Sequence, residues 1–315
     1  MMNVHDAVRE NKRKSVFIIG IFFLFFLFLG FLSGVVFSLY ATGEFFNLYS
    51  MIYSIGLAFI IALVYIMIFM SQGDKMILKA TGATEASRKD YPYLYHTTEA
   101  LSLAAGMRVT PKCYVIDDPA LNAYATGFKP ENSYVVVTTG LLKKLDRQEI
   151  EGVLAHEISH IKNQDIKVML LAAGLVGATV LLADLLFRMF LFSPNRGGGN
   201  NSNGKAMIFV LGIWIFLVVL SPIIANMIKL AISRRREYLA DANGALLTRY
   251  PEGLASALEK IKGDPSPLDD KANKATAHLF ISNPFKAKNS STMKNLFSTH
   301  PPIDDRIARL RGQKK

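Results

Sequence analysis

Five consecutive residues, His156-Glu157-Ile158-Ser159-His160, have side-chain types and a spacing suited to metal-assisted hydrolysis. On a helix, residues four apart lie one above the other on a single face, so the two imidazoles project together. A pair arranged this way can hold one zinc ion from the same side. Glu157 stands next to the first histidine, where a carboxylate can hydrogen-bond a water on that ion. It can then take the water's proton as the oxygen attacks a carbonyl, the general-base role. A chance match on an amphipathic helix would show the same five letters, so the rest of the chain has to supply a further ligand and a scaffold.

Two histidines and a water leave a tetrahedral zinc one protein ligand short. In glutamate-type zincins that ligand is a Glu on a second helix, followed four residues later by Asp. Glu237-Tyr238-Leu239-Ala240-Asp241 has this spacing. Alone it would read as a solvated charged helix behind an arginine run; beside His156, Glu157 and His160 it reads as the third ligand. Asp241, one turn on and on the same face, is placed to accept the free ring N–H of a ligand histidine and fix its tautomer. His96 and His278 have no partner at ligand spacing and read as structural or surface residues, and His5 belongs to a polar terminus. Cys113 lies in an apolar strand run, as a buried small residue does.

The elements that must position these groups include membrane spans. The 315 residues are 51% hydrophobic, with a formal net charge of +11. Residues 16–40 form an apolar run far longer than the roughly 7–15-residue core of a secretory signal, and long enough for a bilayer, which needs about 20. Residues 51–70, 168–192 and 207–232 read as three more spans. Basic residues flank them at Lys12-Arg13-Lys14, at Lys75, Lys79, Arg88 and Lys89, and at Arg234-Arg235-Arg236, which puts the soluble parts on the cytoplasmic side. The net charge is therefore read as membrane-flanking, and no nucleic-acid motif accompanies it. Within the third span, Asp184 and Arg188 are spaced to pair on one face. One cysteine excludes an intrachain disulfide and leaves the metal site without a thiolate pair.

Between the hairpins, residues 92–105 read as a helix stopped by Gly106, and 112–116, 122–126 and 133–138 as short strands separated by turn signals. A helix from about Asp146 carries the histidines. After the fourth span, residues 237–248, 252–261 and 303–311 read as helices, and 263–300 as loop. The division is 1–71, membrane hairpin; 72–167, soluble region with the histidine motif; 168–232, second hairpin; 233–315, soluble region with the third ligand. No Gly or Pro interrupts 162–167 or 233–236, so both ligand helices read as continuous extensions of the second hairpin.

With these motifs in hand, the chain resembles the HtpX-type membrane zinc metalloproteases, and more distantly the zinc proteases that process CAAX proteins. The likeness rests on Asn122-Ala123-Tyr124-Ala125-Thr126-Gly127, residues 153–160, Arg235-Arg236-Glu237 with Ala240-Asp241, and Ser298-Thr299-His300-Pro301-Pro302 with Arg306. It implies one Zn²⁺ per chain bound by His156, His160 and Glu237, with Glu157 as base and an active site facing the cytoplasm. It implies that Asn122, Ala123 and Tyr124 lie on an edge strand that pairs with substrate backbone. It also implies that His300 and Arg306 lie near the site and steady the developing oxyanion.

The expected fold is an α+β membrane protein: four transmembrane helices and a cytoplasmic zincin-like region of helices with a small β-sheet. The expected function is a zinc endopeptidase of the cell (inner) membrane, its partners the lipid bilayer and polypeptide substrates, by resemblance damaged or misassembled membrane proteins. A noncatalytic zinc-containing scaffold or chaperone is the rival; a structural zinc has four closed protein ligands, and three are evident. A prenyl-protein processing enzyme would need more spans than four.

Overall fold

The computed structural model describes residues 4–191, 208, 211–218, 234–268, 276, 279–282, 284 and 301–313. The chain divides into two compact units. One comprises residues 16–71 and 171–227; the other, 1–15, 72–170 and 228–315.

The first unit is built from long apolar helices. Helix α1 (Val4–Thr42) and α2 (Leu48–Ala80) meet where small residues let their backbones approach. A Cβ on Gly30 would lie 2.6 Å from that of Ala58, and one on Gly34 would lie 2.9 Å from the sulfur of Met51. Phe22 stacks on Tyr65, whose hydroxyl donates to the carbonyl of Gly174 at 2.9 Å. Much of the remaining surface is apolar and uncovered, with Leu24 at 69% and Ile52 at 63% exposure, as lipid-facing residues require. Among the described residues, three helical stretches, Val8–Leu39, Leu48–Ala80 and Asp165–Leu185, are long and apolar enough to cross a membrane. The helices outrun the apolar spans read from sequence, α1 starting in the polar terminus and α2 continuing past residue 70. The fourth span, 207–232, lies mostly outside the described residues; 211–218 are helical.

The second unit holds the sheet and the remaining helices. Strand β1 (Thr84–Glu85) precedes α3 (Pro92–Ala104), which ends at Gly106. That glycine takes φ +70, and the N–H groups of Gly106 and Met107 bond back to Leu103 and Ser102, so it stops the helix as a left-handed C′ residue. Strands β2 (Lys112–Ile116), β3 (Ala123–Lys129) and β4 (Asn132–Thr138) complete a sheet of order β1-β2-β4-β3. Among the described residues β3 pairs antiparallel with β4 alone, in the register Ala123↔Val137 and Ala125↔Val135, which leaves it at an edge of the sheet. Regular pairing breaks between Thr126 and Lys129, where Gly127 takes φ +132.

A short α4 (Thr139–Lys144) leads into α5 (Arg147–Lys162), the helix around which this unit packs. Asp146 and Glu149 cap its start reciprocally at 2.9 and 2.8 Å. The same Glu149 accepts from Ser256 and Lys260 of α8 (Pro251–Gly263), after α7 (Arg234–Thr248). α5 contacts α7, α8, α3 and β3, so every residue from 152 to 161 is buried. A polar run so enclosed requires partners. Helix α9 (Ile303–Leu310) packs on α8 and α7.

One expectation is corrected. α5 does not run on into α6 (Asp165–Leu191): it ends at Asn163, and Gln164 adopts a left-handed φ of 58. No Gly or Pro is needed for this break, because a new helix starts at Asp165, whose carboxylate is bound in place by neighbouring donors.

Candidate metal centre

His156 and His160 stand one turn apart on α5, their Nε2 atoms 3.2 Å apart. Glu237, in the first turn of α7, brings its carboxylate to 3.4 Å from His160 Nε2 and 4.0 Å from His156 Nε2. All three side chains are buried, and their ligand atoms lie within 4.8 Å of one another. Zinc bonds of about 2.0–2.1 Å at tetrahedral angles separate neighbouring ligand atoms by roughly 3.3 Å, so this donor set fits such an ion. Gly244 on α7 permits the approach: a Cβ there would come 3.1 Å from the backbone nitrogen of His156.

Each imidazole is held from behind by a carboxylate. Asp241 lies 2.9 Å from Nδ1 of His156, and Asp165 lies 2.9 Å from Nδ1 of His160. A carboxylate only accepts, so each Nδ1 carries a proton, which leaves Nε2 as the atom on each ring that would bind a metal. Asp241 is itself gripped by Arg306, through Nε at 2.9 Å and Nη2 at 2.7 Å. Burial opposes charge on Asp241, but the Arg306 guanidinium and His156 outweigh it and hold its pKa at about 2. Burial lowers His156 to about 4, with Arg306 adding to the effect against Asp241. Burial also opposes charge on His160, yet Glu237 and Asp165 prevail and raise it to about 9.

Glu157 is 3% exposed and lines a small cavity with His156, His160, Ala125, Met169 and Ile281. The cavity measures about 10 Å³, close to the room one water requires.

The remaining site residues named from sequence fall in several places. Asn122 is buried, and its side chain bonds the backbone of Ser282, accepting at 3.4 Å and donating at 3.1 Å. The Ala123 carbonyl accepts from Ile281 N–H at 2.8 Å on the outer side of β3. Tyr124 is fully buried, its hydroxyl 2.6 Å from that of Thr81 and its ring edge-on to Phe280. Arg306 lies behind Asp241, with Nη1 3.9 Å from Glu237. His300 and His278 lie outside the described residues, and His96 is exposed. Cys113 is fully buried, and burial raises its pKa. Asp184 and Arg188 pair at 2.8 Å.

Sequence reasoning did not find Asp165, Arg236 or Asn11, which join the site behind His160. The available signal was an acid five residues past His160 in the first turn of a new helix.

Residues 88–314 match the model of peptidase family M48. The chain is 46% identical over 308 residues to the Protease HtpX homolog of Dictyoglomus turgidum, covering 98% of this chain and 94% of that one. It is 39% identical over 315 residues to the Protease HtpX homolog of Listeria monocytogenes serotype 4a, covering 97% and 98%. Among solved structures, the crystal structure of S. mikatae Ste24p aligns with a TM-score of 0.47 at 19% identity, covering 90% of this chain, which spans 62% of that one. With its buried His/His/Glu cluster and, among the described residues, three helices able to cross a membrane, the chain belongs to peptidase family M48 and is a membrane-bound metalloprotease.

Proposed function

We propose that the chain is a zinc endopeptidase that cleaves misfolded or damaged membrane proteins at the cytoplasmic face of the cell membrane. The observation that carries the chemistry is the convergence of His156 Nε2, His160 Nε2 and Glu237, with both Nδ1 atoms fixed on carboxylates. Bound zinc would supply a Lewis acid that polarises the scissile carbonyl and acidifies a water. Glu157, beside these residues on the same cavity, is placed to accept a proton from an attacking water and to return it to the leaving amine. Arg306 acts through Asp241, keeping it charged and oriented toward His156. His300 is assigned from sequence to the developing oxyanion.

The outer side of β3 supplies a place for the substrate backbone. The Ala123 carbonyl points away from β4, and strand alternation turns the N–H and C=O of Ala125 the same way. Ala125 lines the cavity that holds Glu157, so a strand added there would run past the base. The four spans read from sequence, with their basic flanks on one side, support a site at the bilayer's cytoplasmic surface.

The test is cleavage of an unfolded membrane protein in detergent or nanodiscs by wild type and Glu157→Gln, each with zinc quantified. Cleavage by wild type alone, at equal zinc content, is expected. Equal cleavage by both removes Glu157 from the mechanism, and zinc without cleavage in either favours a scaffold.

A further inference from the structure

On the Nδ1 side of His160 lies a group of buried polar side chains that the hydrolytic chemistry does not use. Asp165 gives Oδ2 to His160, and its Oδ1 accepts from Asn11 Nδ2 at 2.8 Å. The second hydrogen of that amide goes to the carbonyl of Asn163 at 2.9 Å, the residue that ends α5. Arg236, the residue before Glu237, donates from Nη1 to Asn11 Oδ1 and lies 3.5 Å from Asp165 Oδ1. Asn11 is 1% exposed, Arg236 and Asp165 2%. Nε and Nη2 of Arg236 have no partner among the described residues, so its hold in the interior comes through Nη1.

The burial of Asn11 is selective. Its neighbours Lys12 and Arg13 are exposed, and it belongs to α1, which goes on into the apolar span. A polar side chain is buried at a cost of about 1–3 kcal/mol unless its hydrogen bonds are made. Asn11 makes them with both faces of its carboxamide, and its partners are the carboxylate behind His160, the end of the helix that bears His160, and the first turn of the helix that bears Glu237.

We propose that Asn11 and Arg236 are positioning residues of the metal centre: they lock Asp165 in the orientation that fixes the tautomer and rotamer of His160. The N-terminal helix is then part of the protease site as well as a membrane anchor. Without the Asn11 amide, Asp165 keeps two partners, His160 and Arg236, and its carboxylate is free to turn toward the guanidinium. This proposal rests on the assignment of His160 as a zinc ligand.

The experiment uses the full chain in detergent. Zinc affinity is measured by chelator competition, and the absorption bands of the cobalt(II)-loaded protein report the ligand field. The set is wild type, Asn11→Ala, Asp165→Asn, the double variant and His160→Ala, with thermal unfolding as a check on folding. Asn11→Ala is expected to weaken zinc about tenfold and to move the cobalt bands, within the 10–100-fold range typical of residues behind a ligand. The double variant should lose no more than Asp165→Asn alone, because Asn11 acts through Asp165. Should Asn11→Ala not fold, Arg236→Met, which removes the Nη1 donor, is read in the same assays with the same expectation. Wild-type affinity and unmoved cobalt bands in a folded Asn11→Ala or Arg236→Met overturn the proposal, as do losses that multiply in the double variant. Those results leave the metal centre standing if His160→Ala loses zinc; His160→Ala with wild-type affinity overturns the metal-centre assignment itself.

Discussion

Nδ1 of His156 lies 2.9 Å from Oδ1 of Asp241, and that carboxylate also takes two hydrogen bonds from Arg306. An imidazole, a carboxylate and a guanidinium are thus enclosed together, with Arg306 1% exposed. Removing one partner of a buried charged pair leaves the other uncompensated, at a cost of about 3–5 kcal/mol. Arg306→Ala should lower the thermal unfolding temperature of the full chain and weaken zinc binding as Asp241 loses its orientation. Unchanged zinc affinity together with an unchanged unfolding temperature would contradict this account.

Glu157→Gln separates binding from chemistry. The amide keeps the size of the side chain but accepts no proton, so zinc content should match wild type while cleavage falls by about 10²–10⁴-fold, the usual worth of a general base. His156→Ala, His160→Ala and Glu237→Ala should instead lose zinc, since each removes a donor from the cluster. Metal analysis of the four purified variants decides; loss of zinc from Glu157→Gln as complete as from His160→Ala would make it a ligand.

The pH dependence of zinc binding should come from His160. In the metal-free protein its pKa is raised to about 9, against burial, by Glu237 and Asp165, whereas His156, lowered to about 4, is already neutral. A ligand histidine must be neutral, so below about pH 9 the ion expels a proton from His160 and competes with it. Affinity should therefore rise with pH, by about tenfold per unit between about pH 6 and 8, and level off above. Calorimetry in buffers of different ionisation enthalpy should find about one proton released per zinc near neutrality; release of none would show His160 neutral beforehand.

Ala125→Pro addresses the edge strand. Proline is tolerated where a strand's N–H faces outward, and it deletes that donor. The variant should keep its zinc and its fold but lose kcat/KM, with KM carrying most of the change, because the lost hydrogen bond belongs to binding. Wild-type kinetics for a folded Ala125→Pro would remove β3 from substrate contact.

The local part of this architecture was legible in the sequence. The two histidines and Glu157 lie within one helical turn, Glu237 and Asp241 repeat that spacing, and the strands of 112–116 and 133–138 are bounded by turn residues. Groups whose meaning depends on distant chain were not legible. Asn11 sits in a basic segment and meets a carboxylate 154 residues away, a pairing that no local pattern encodes. The break between α5 and α6 was hidden because no Gly or Pro marks it; Asn163, a residue suited to a helix C-terminus, caps α5, and the left-handed φ of Gln164 ends the run. Tyr124, grouped from sequence with a substrate strand, points its side chain into the core toward Thr81, since alternate strand residues face opposite ways.

Ile281 caps the outer side of β3 at Ala123, and regular pairing ends after Thr126. On the proposed function, the outward-turned N–H and C=O of Ala125 are the backbone groups of this edge that lie beside the cavity of Glu157. Pairing through backbone groups reads few side chains, so it discriminates little between sequences. On the proposed function, what qualifies a polypeptide for cleavage is having a few extended residues to spare within reach of the bilayer, a property that folding hides and damage exposes.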